Sequence, residues 1–440
     1  MALVCGAGER CAVAGSTAET QSEVRAAVEA EYPALFDLYR EFHAHPELSF
    51  QEKWSAAKVA GELRGAGYAV TEKVGRLGVV AVLTNGPGPT VMIRADMDGL
   101  PVREQTGLPY ASVAKGVDPN GNEVSVMHAC GHDTHMTCLI GVARLLGSGE
   151  GRRRWSGTLV LIAQPAEEVV GGARAMLADG LYTRFPRPDY CLALHDFAFL
   201  AGLVCYTPGP ALAAADSLDI VVHGVGGHGS APDKAKDPVV LAAQIVMALQ
   251  TIASREVTPG ETAVVTVGSI HGGTKRNIIP DEVRLLLTVR TFSEGTRQKV
   301  LASIGRIARG LGQAAGMPED RLPEIVTRAD ESVPATYNDP VLAARIGAEF
   351  RRWFGEEGAV EVKAVTGSED FGLFGRVEPK IPTFFFFVGG LAPALDESSR
   401  ATGKPPPSIH SPFWAPVPEA TLKTGVTAMT AAALELMPRR

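Results

Sequence analysis

Within eight residues the chain gathers three imidazoles, a thiol and a carboxylate: His128-Ala129-Cys130-Gly131-His132-Asp133-Thr134-His135. Cys130 and His132 stand two apart across a glycine, so both side chains can turn toward one ion. A thiolate beside an imidazole suits a borderline-soft cation such as zinc. Standing alone, a Cys-x-His pair reads as a buried cysteine next to polar turn histidines. A metal reading needs donors from elsewhere in the chain.

Three short apolar runs offer them. The run 90–94 leads into Asp96 and Asp98, the run 158–163 breaks at Gln164-Pro165 before Glu167 and Glu168, and the run 190–194 leads into His195. Buried strands that end in polar residues place them at the carboxyl edge of an α/β sheet, where ligands bind. If the backbone stays extended, Glu167 and Glu168 point to opposite sides. One could then ligate a metal while the other takes a proton, a pairing that metal-assisted hydrolysis requires. Later in the chain, Ser368-Glu369-Asp370-Phe371 and Ile409-His410-Ser411-Pro412 add two more polar clusters.

The elements that must position these groups show as periodicity. Residues 1–22 read as an extension. Helical spacing covers 23–42 and 55–65, and a further helix starts behind the cysteine–histidine cluster, with Met136, Leu139, Ile140, Ala143 and Leu146 on one face. His43 and His45, just before Pro46, read as a polar helix end facing solvent or a neighbouring loop. Strands ending in ligands and separated by helices predict a largely parallel sheet. From residue 213 the pattern changes to strand, helix, two strands and helix without ligand-like strand ends. That describes an α+β insertion over 213–330. The α/β character returns over 331–440, with a helix at 340–354, a strand at 383–388 and a last helix at 418–436. The expectation is a two-domain α/β protein, whose mainly parallel-sheet domain comprises 23–212 and 331–440.

Composition narrows the function. With 440 residues the chain is too long for one ordinary core. The net charge is −7 and no basic block exceeds Arg152-Arg153-Arg154, which argues against nucleic acid or an anionic membrane as partner. Six widely spaced cysteines make no disulfide scaffold. No uncharged apolar run looks long enough for a bilayer. The first eighteen residues end faintly like a cleavage site, but Glu9 and Arg10 interrupt them without a basic start, so a cytoplasmic location is expected. Gly224-Val225-Gly226-Gly227-His228-Gly229 fits G-x-G-x-x-G, yet no helix opens at once behind it and no acidic residue follows in 240–255 to hold a ribose. Those glycines more simply present His228. The nucleophile elbow of serine hydrolases is absent.

Taken in order, His43–Phe50, Arg94–Asp98, His128–Asp133, Gln164–Glu168, Gly226–Gly229, Asn277–Pro280, Ser368–Phe371 and Ile409–Pro412 resemble the motifs of the peptidase M20 family, in its aminoacylase and hippurate hydrolase branch. The likeness runs from about residue 42 to the last helix. It implies that Cys130, His132, Glu168, His195 and His410 hold two divalent metal ions (zinc, manganese, cobalt or nickel) with the thiolate bridging them. It further implies that Glu167 is the general acid/base. Where the wider superfamily has His-x-Asp, this chain has Asp96-Met97-Asp98, so Asp96 and Asp98 are expected to orient ligands rather than bind metal. The insertion resembles a lid and dimerisation domain, making the protein a dimer or tetramer. Its His228 would reach a partner subunit's site and steady the oxyanion, while Asn277 and Arg290 would bind the substrate's carboxylate. The implied substrate is a small-molecule amide, an N-acyl amino acid or a relative. A dipeptidase using the same site, or a non-catalytic metal-binding protein, are the rival readings.

Overall fold

The computed structural model describes residues 17–439. Three strands are buried along nearly their whole length, Thr90–Asp96, Gly157–Gln164 and Thr383–Leu391, and a fourth, Tyr190–Leu200, is buried from Cys191 to Asp196. They are parallel neighbours in the order Gly157–Gln164, Thr90–Asp96, Tyr190–Leu200, Thr383–Leu391. Continuous apolar runs are what a parallel sheet covered on both faces requires. Gly78–Asn85 and then Ala69–Val74 extend one edge in antiparallel fashion, and Val204–Tyr206 with Ala359–Glu361 complete eight strands at the other.

Strand alternation divides each central run between two cores. Phe384 and Phe386 join Leu192 and Leu194 beneath the helices Ala18–Ala44, His132–Gly147, Pro340–Gly358 and Pro418–Leu436. Phe385 and Phe387 face the other way, with Cys191, Ala193, Leu212 and Phe371. Truncating one of these fully buried rings to alanine costs about 3–5 kcal/mol.

The second domain is a four-stranded antiparallel sheet in the order Ala263–Gly272, Glu282–Thr291, Ala214–His223, Glu324–Val333. Strict alternation of buried with half-buried or exposed residues along Glu282–Thr291 leaves one face for the helices Pro238–Thr251 and Glu294–Ala314. Pro238 opens its helix at the favoured first position, and Asp237 caps it by accepting from the Val239 N–H at 2.8 Å.

Three differences from the sequence reading have physical causes. Thr17 caps the first helix by accepting from the Thr20 N–H at 3.2 Å, so Ala18–Ser22 are helical rather than extension. The rest of that extension, 1–16, lies outside the described residues. The strand Glu324–Val333 escapes periodicity because Glu324, Arg328, Asp330 and Glu331 interrupt its pattern; charges of this kind protect an edge strand from further pairing. Finally, Pro238–Thr251 continues through Ile252–Glu256 into 19 residues long and apolar enough to cross a membrane. In this fold Leu241, Ala242, Ile245 and Leu249 of that helix are buried against the second sheet.

Candidate active site

The site is built at the carboxyl ends of the central strands. The helix His132–Gly147 begins at Gly131, whose φ is +76°, and a Cβ there would lie 1.9 Å from Asp196 Oδ1. Only glycine permits that approach. The turn delivers two sets of donors that share one sulfur. Cys130 Sγ lies 3.4 Å from His195 Nε2 and 3.3 Å from His410 Nε2. Cys130, His132 and His195 form one group able to hold a cation, and Cys130, Glu168 and His410 form a second. Glu168 spans them, with its carboxylate oxygens 3.8 Å from His132 Nε2 and 3.5 Å from His410 Nε2.

The donors fit metal. Neither ring nitrogen of His132 nor Oε1 of Glu168 has a hydrogen-bond partner among the described residues, although all three atoms are buried. Buried polar atoms are otherwise almost always paired. Burial pushes the Cys130 thiol well above its ordinary range, and the charges of Glu168 and Glu167 add to this. Burial also carries Glu168 up to about 7. His132 also moves up, for another reason: burial opposes its charge, but Asp96 and Asp98 outweigh that and hold its pKa at about 10. These three shifts all favour bound protons when no cation is present. A divalent ion replaces them and lets thiolate, carboxylate and neutral imidazole stand together.

A layer behind the donors fixes them. Asp98 Oδ1 accepts from the Glu167 N–H and Oδ2 from the Glu168 N–H, each at 3.0 Å, while Oδ1 stands 3.4 Å from His132 Nδ1. One carboxylate thus orients both the paired glutamates and the histidine. Asp96 takes Arg94 Nη1 at 2.5 Å and His135 Nδ1 at 2.6 Å, and His135 Nε2 reaches Asp196 Oδ1 at 3.0 Å. Arg94 is fully buried and also pairs with Glu369, Nη2 to Oε1 at 2.7 Å.

One expectation is corrected here. Glu167 and Glu168 do not point to opposite sides; both line the same cavity, and Glu167 Oε2 is 3.9 Å from His132 Nε2. The backbone is not extended, because Ala166 has φ +51° and donates its N–H to the buried Glu52 at 2.7 Å. Of the two alternatives for His43, it faces a neighbouring loop, through Glu104, and not solvent. It is buried, with Nδ1 2.7 Å from Asp133 and Nε2 3.0 Å from Glu104. Sequence reasoning passed over Arg94, His135 and Glu52 as functional supports. No periodicity marks a buried guanidinium or a distant acid, and only the sixth residue of the His-rich cluster, Asp133, hinted at ion pairing.

These groups open onto a cavity of about 950 Å³ between the two sheets. Arg290 enters it from the second-domain strand Glu282–Thr291 and donates Nη1 to Ser368 Oγ at 2.6 Å. His228 and Asn277 do not reach it within one chain. They lie side by side on the short ribbon Gly227–His228 and Ile278–Ile279, exposed, with the Gly229 N–H donating to the Asn277 carbonyl at 2.9 Å. Another cleft, of about 800 Å³ around Asn85, Trp155 and Arg439, lies at the amino ends of the central strands and carries no comparable donor set.

A parallel sheet with clustered Cys, His and Glu donors at its carboxyl edge, facing an arginine from the second domain, fits a hydrolase of the metal-dependent type. Comparison with known proteins makes the class particular. The profile of Peptidase family M20/M25/M40 matches residues 92–403. The hippurate hydrolase of Campylobacter jejuni is 39% identical over 352 residues, covering 78% of this chain and 87% of that one. N-acetylcysteine deacetylase of Bacillus subtilis is 34% identical over 365 residues, covering 81% and 88%. The solved Bacillus subtilis YXEP protein, described as a dinuclear metal binding peptidase from the M20 family, superposes with a TM-score of 0.74 at 29% identity, covering 93% of this chain and 99% of that one. The chain belongs to the peptidase M20 family and is a hydrolase acting on amides.

Proposed function

We propose that the protein hydrolyses the amide bond of N-acyl amino acids or closely related amides, with two divalent cations held by Cys130, His132, Glu168, His195 and His410. The observation that carries this reading is the pair of donor sets sharing Cys130 on the wall of a cavity that also presents Glu167 and Arg290. When bound, the cations supply Lewis-acid polarisation of the carbonyl and a water of lowered pKa. Glu167 accepts the proton of the attacking water at its carboxylate and returns it to the amide nitrogen as the C–N bond breaks, leaving a carboxylic acid and an amine. Burial, then the charges of Glu369 and Glu168, push the Glu167 pKa well above the ordinary carboxylate range. That is the direction a group needs if it must both take and give a proton near neutral pH. Arg290 binds the carboxylate of the amino-acid portion.

The remaining lid groups act from a second copy in this reading. His228, exposed and off its own cavity, steadies the oxyanion of a partner's site, and Asn277 beside it contacts the partner's substrate. The lid offers a face for such pairing: Val239, Val240 and Met247 of its first helix and Val264 and Ile270 of its edge strand are exposed.

The test is a panel of N-acyl amino acids, simple amides and dipeptides, assayed after chelation and reloading with zinc, manganese, cobalt or nickel. Turnover of N-acyl amino acids that disappears on chelation and returns on reloading is expected. Metal-independent turnover, or turnover of dipeptides alone, would refute the proposal.

A further inference from the structure

The turn that carries Glu167 and Glu168 is tied to the second domain by a side chain that is not part of the cavity lining. Val170 closes this turn, donating its N–H to the Glu167 carbonyl at 2.7 Å. Its φ is +49°, a left-handed conformation that a β-branched residue holds only where its neighbours enforce it. Arg174, on the helix Gly172–Ala178, donates Nη1 back to the Val170 carbonyl at 3.4 Å. The same guanidinium crosses to the strand Glu324–Val333. There Nη1 donates to the Asp330 carbonyl at 3.0 Å and Nη2 donates to the Ser332 carbonyl.

The receiving segment is a bulge. Ala215 pairs with Val333 and Ser217 with Arg328, so residues 329–332 face Asp216 alone and drop out of the ladder. Bulges re-aim side chains and are frequent beside active sites. Ser332 shapes this one: its Oγ donates to the Arg328 carbonyl at 2.7 Å and accepts from the Ser217 N–H at 3.3 Å. Asp330 and Glu331 of the bulge line the cavity, as do Val169 and Val170 of the turn. Directly beyond it the chain returns to the first domain, where Thr336–Asn338 pairs with Gly209–Leu212.

We propose that Arg174 is a positioning residue that fastens the bulge 329–332 to the turn of Glu167, so that the width of the cavity and the placement of the base are set together. The inference rests on the reading of Glu167 as the base. One guanidinium serves three carbonyls on two elements, and its planar fork fixes the directions of its N–H groups. Without it the Asp330 and Ser332 carbonyls lose this partner and Val170 has one restraint fewer. A loosened bulge displaces two cavity-lining residues. A loosened turn displaces the carboxylate that must meet the water, where a small misplacement is costly.

The experiment compares metal-loaded wild type, Arg174→Met, Ser332→Ala and the double variant, by steady-state kinetics on the N-acyl amino acids of the panel above and by hydrogen–deuterium exchange. Methionine keeps an unbranched stem but has no N–H to donate. Arg174→Met is expected to lower kcat about tenfold and to raise KM about threefold together, with metal content unchanged. Loss of folded enzyme as such lowers apparent kcat and leaves KM where it was. The double variant is expected to be little worse than Arg174→Met, because Ser332 acts through the same fastening. Exchange is expected to rise over both 166–172 and 329–333 in each single variant. For Ser332→Ala that includes the turn, to which the Ser332 side chain makes no hydrogen bond among the described residues. An unchanged KM in Arg174→Met, effects that multiply in the double variant, or faster exchange confined to the mutated element would each overturn the proposal. If wild type turns over no N-acyl amino acid, the functional reading fails, and exchange alone decides the fastening: a joint rise upholds it, and anything less overturns it. Should Arg174→Met fail to fold, Ser332→Ala decides in the same way, faster exchange over 166–172 upholding the fastening and unchanged exchange there overturning it.

Discussion

The donor cluster and the lid ribbon hold their histidines in opposite ways. His132 is buried beneath two glutamates whose turn is pinned by Asp98, and behind it Arg94, Asp96, His135 and Asp196 form a closed run of ion pairs. His228 instead sits exposed on a two-residue strand, and its visible partner is its own loop, where Nδ1 accepts from the Ser230 N–H at 3.1 Å. Under the proposed function the contrast separates two kinds of functional residue. Groups that act within one chain are preorganised by buried neighbours, at a desolvation cost that those neighbours offset. A group that acts on another surface has to remain outside that network.

The largest effect is expected inside the buried cluster. Glu167→Gln should retain metal and thermal stability while kcat falls roughly 10³-fold, because the water has lost its proton acceptor. Near-normal turnover would move the base elsewhere, with Glu369 the next candidate on the cavity wall.

The lid side of the comparison gives the next effect. His228→Ala should lower kcat about 10²-fold with metal content unchanged. Mixing it with Glu167→Gln should restore part of the activity, since one site of each mixed dimer then has an intact base and an intact partner histidine. Heterodimers seen by native mass spectrometry that stay inactive would place His228 outside the reaction.

The smallest effect concerns the ion pairs around His43. Burial opposes charge on this imidazole, but its hydrogen bonds to Asp133 and Glu104 outweigh that and raise the pKa to about 9, against about 6.5 in the unfolded chain. A raised folded pKa means the contribution is complete below about pH 6.5 and is lost as the pH climbs through about 9. Wild-type Tm should therefore fall by a few degrees more than that of His43→Gln across this window. Parallel Tm curves for the two proteins would contradict the pairing.

What could be read from the sequence divides along the same line. Three of the central strands announced themselves as apolar runs that lead into polar residues of the site, and the fourth, Thr383–Leu391, as an apolar run alone. Cys130, His132, Glu168, His195 and His410 could be named from motif order, although no local property says that residues 280 apart, Cys130 and His410, meet at 3.3 Å. The shape of the Glu167–Glu168 turn was hidden, since it depends on Glu52 and Asp98 reaching in from other segments. For His43 the sequence left solvent and a neighbouring loop open, and only tertiary packing decides between them by enclosing it between two acids. The charged edge strand Glu324–Val333 was missed because an edge has no need of a continuous apolar face.

The central claim is that two cations share the sulfur of Cys130. Metal content after dialysis against zinc or manganese, measured by plasma mass spectrometry on wild type, Cys130→Ala and Cys138→Ala, tests it most directly. Cys138 is equally buried but packs against Gly425 in the core, so it controls for loss of a thiol as such. Two equivalents per chain are expected for wild type and Cys138→Ala, and less than one for Cys130→Ala. A Cys130→Ala protein that still holds two equivalents would contradict the shared-thiolate centre.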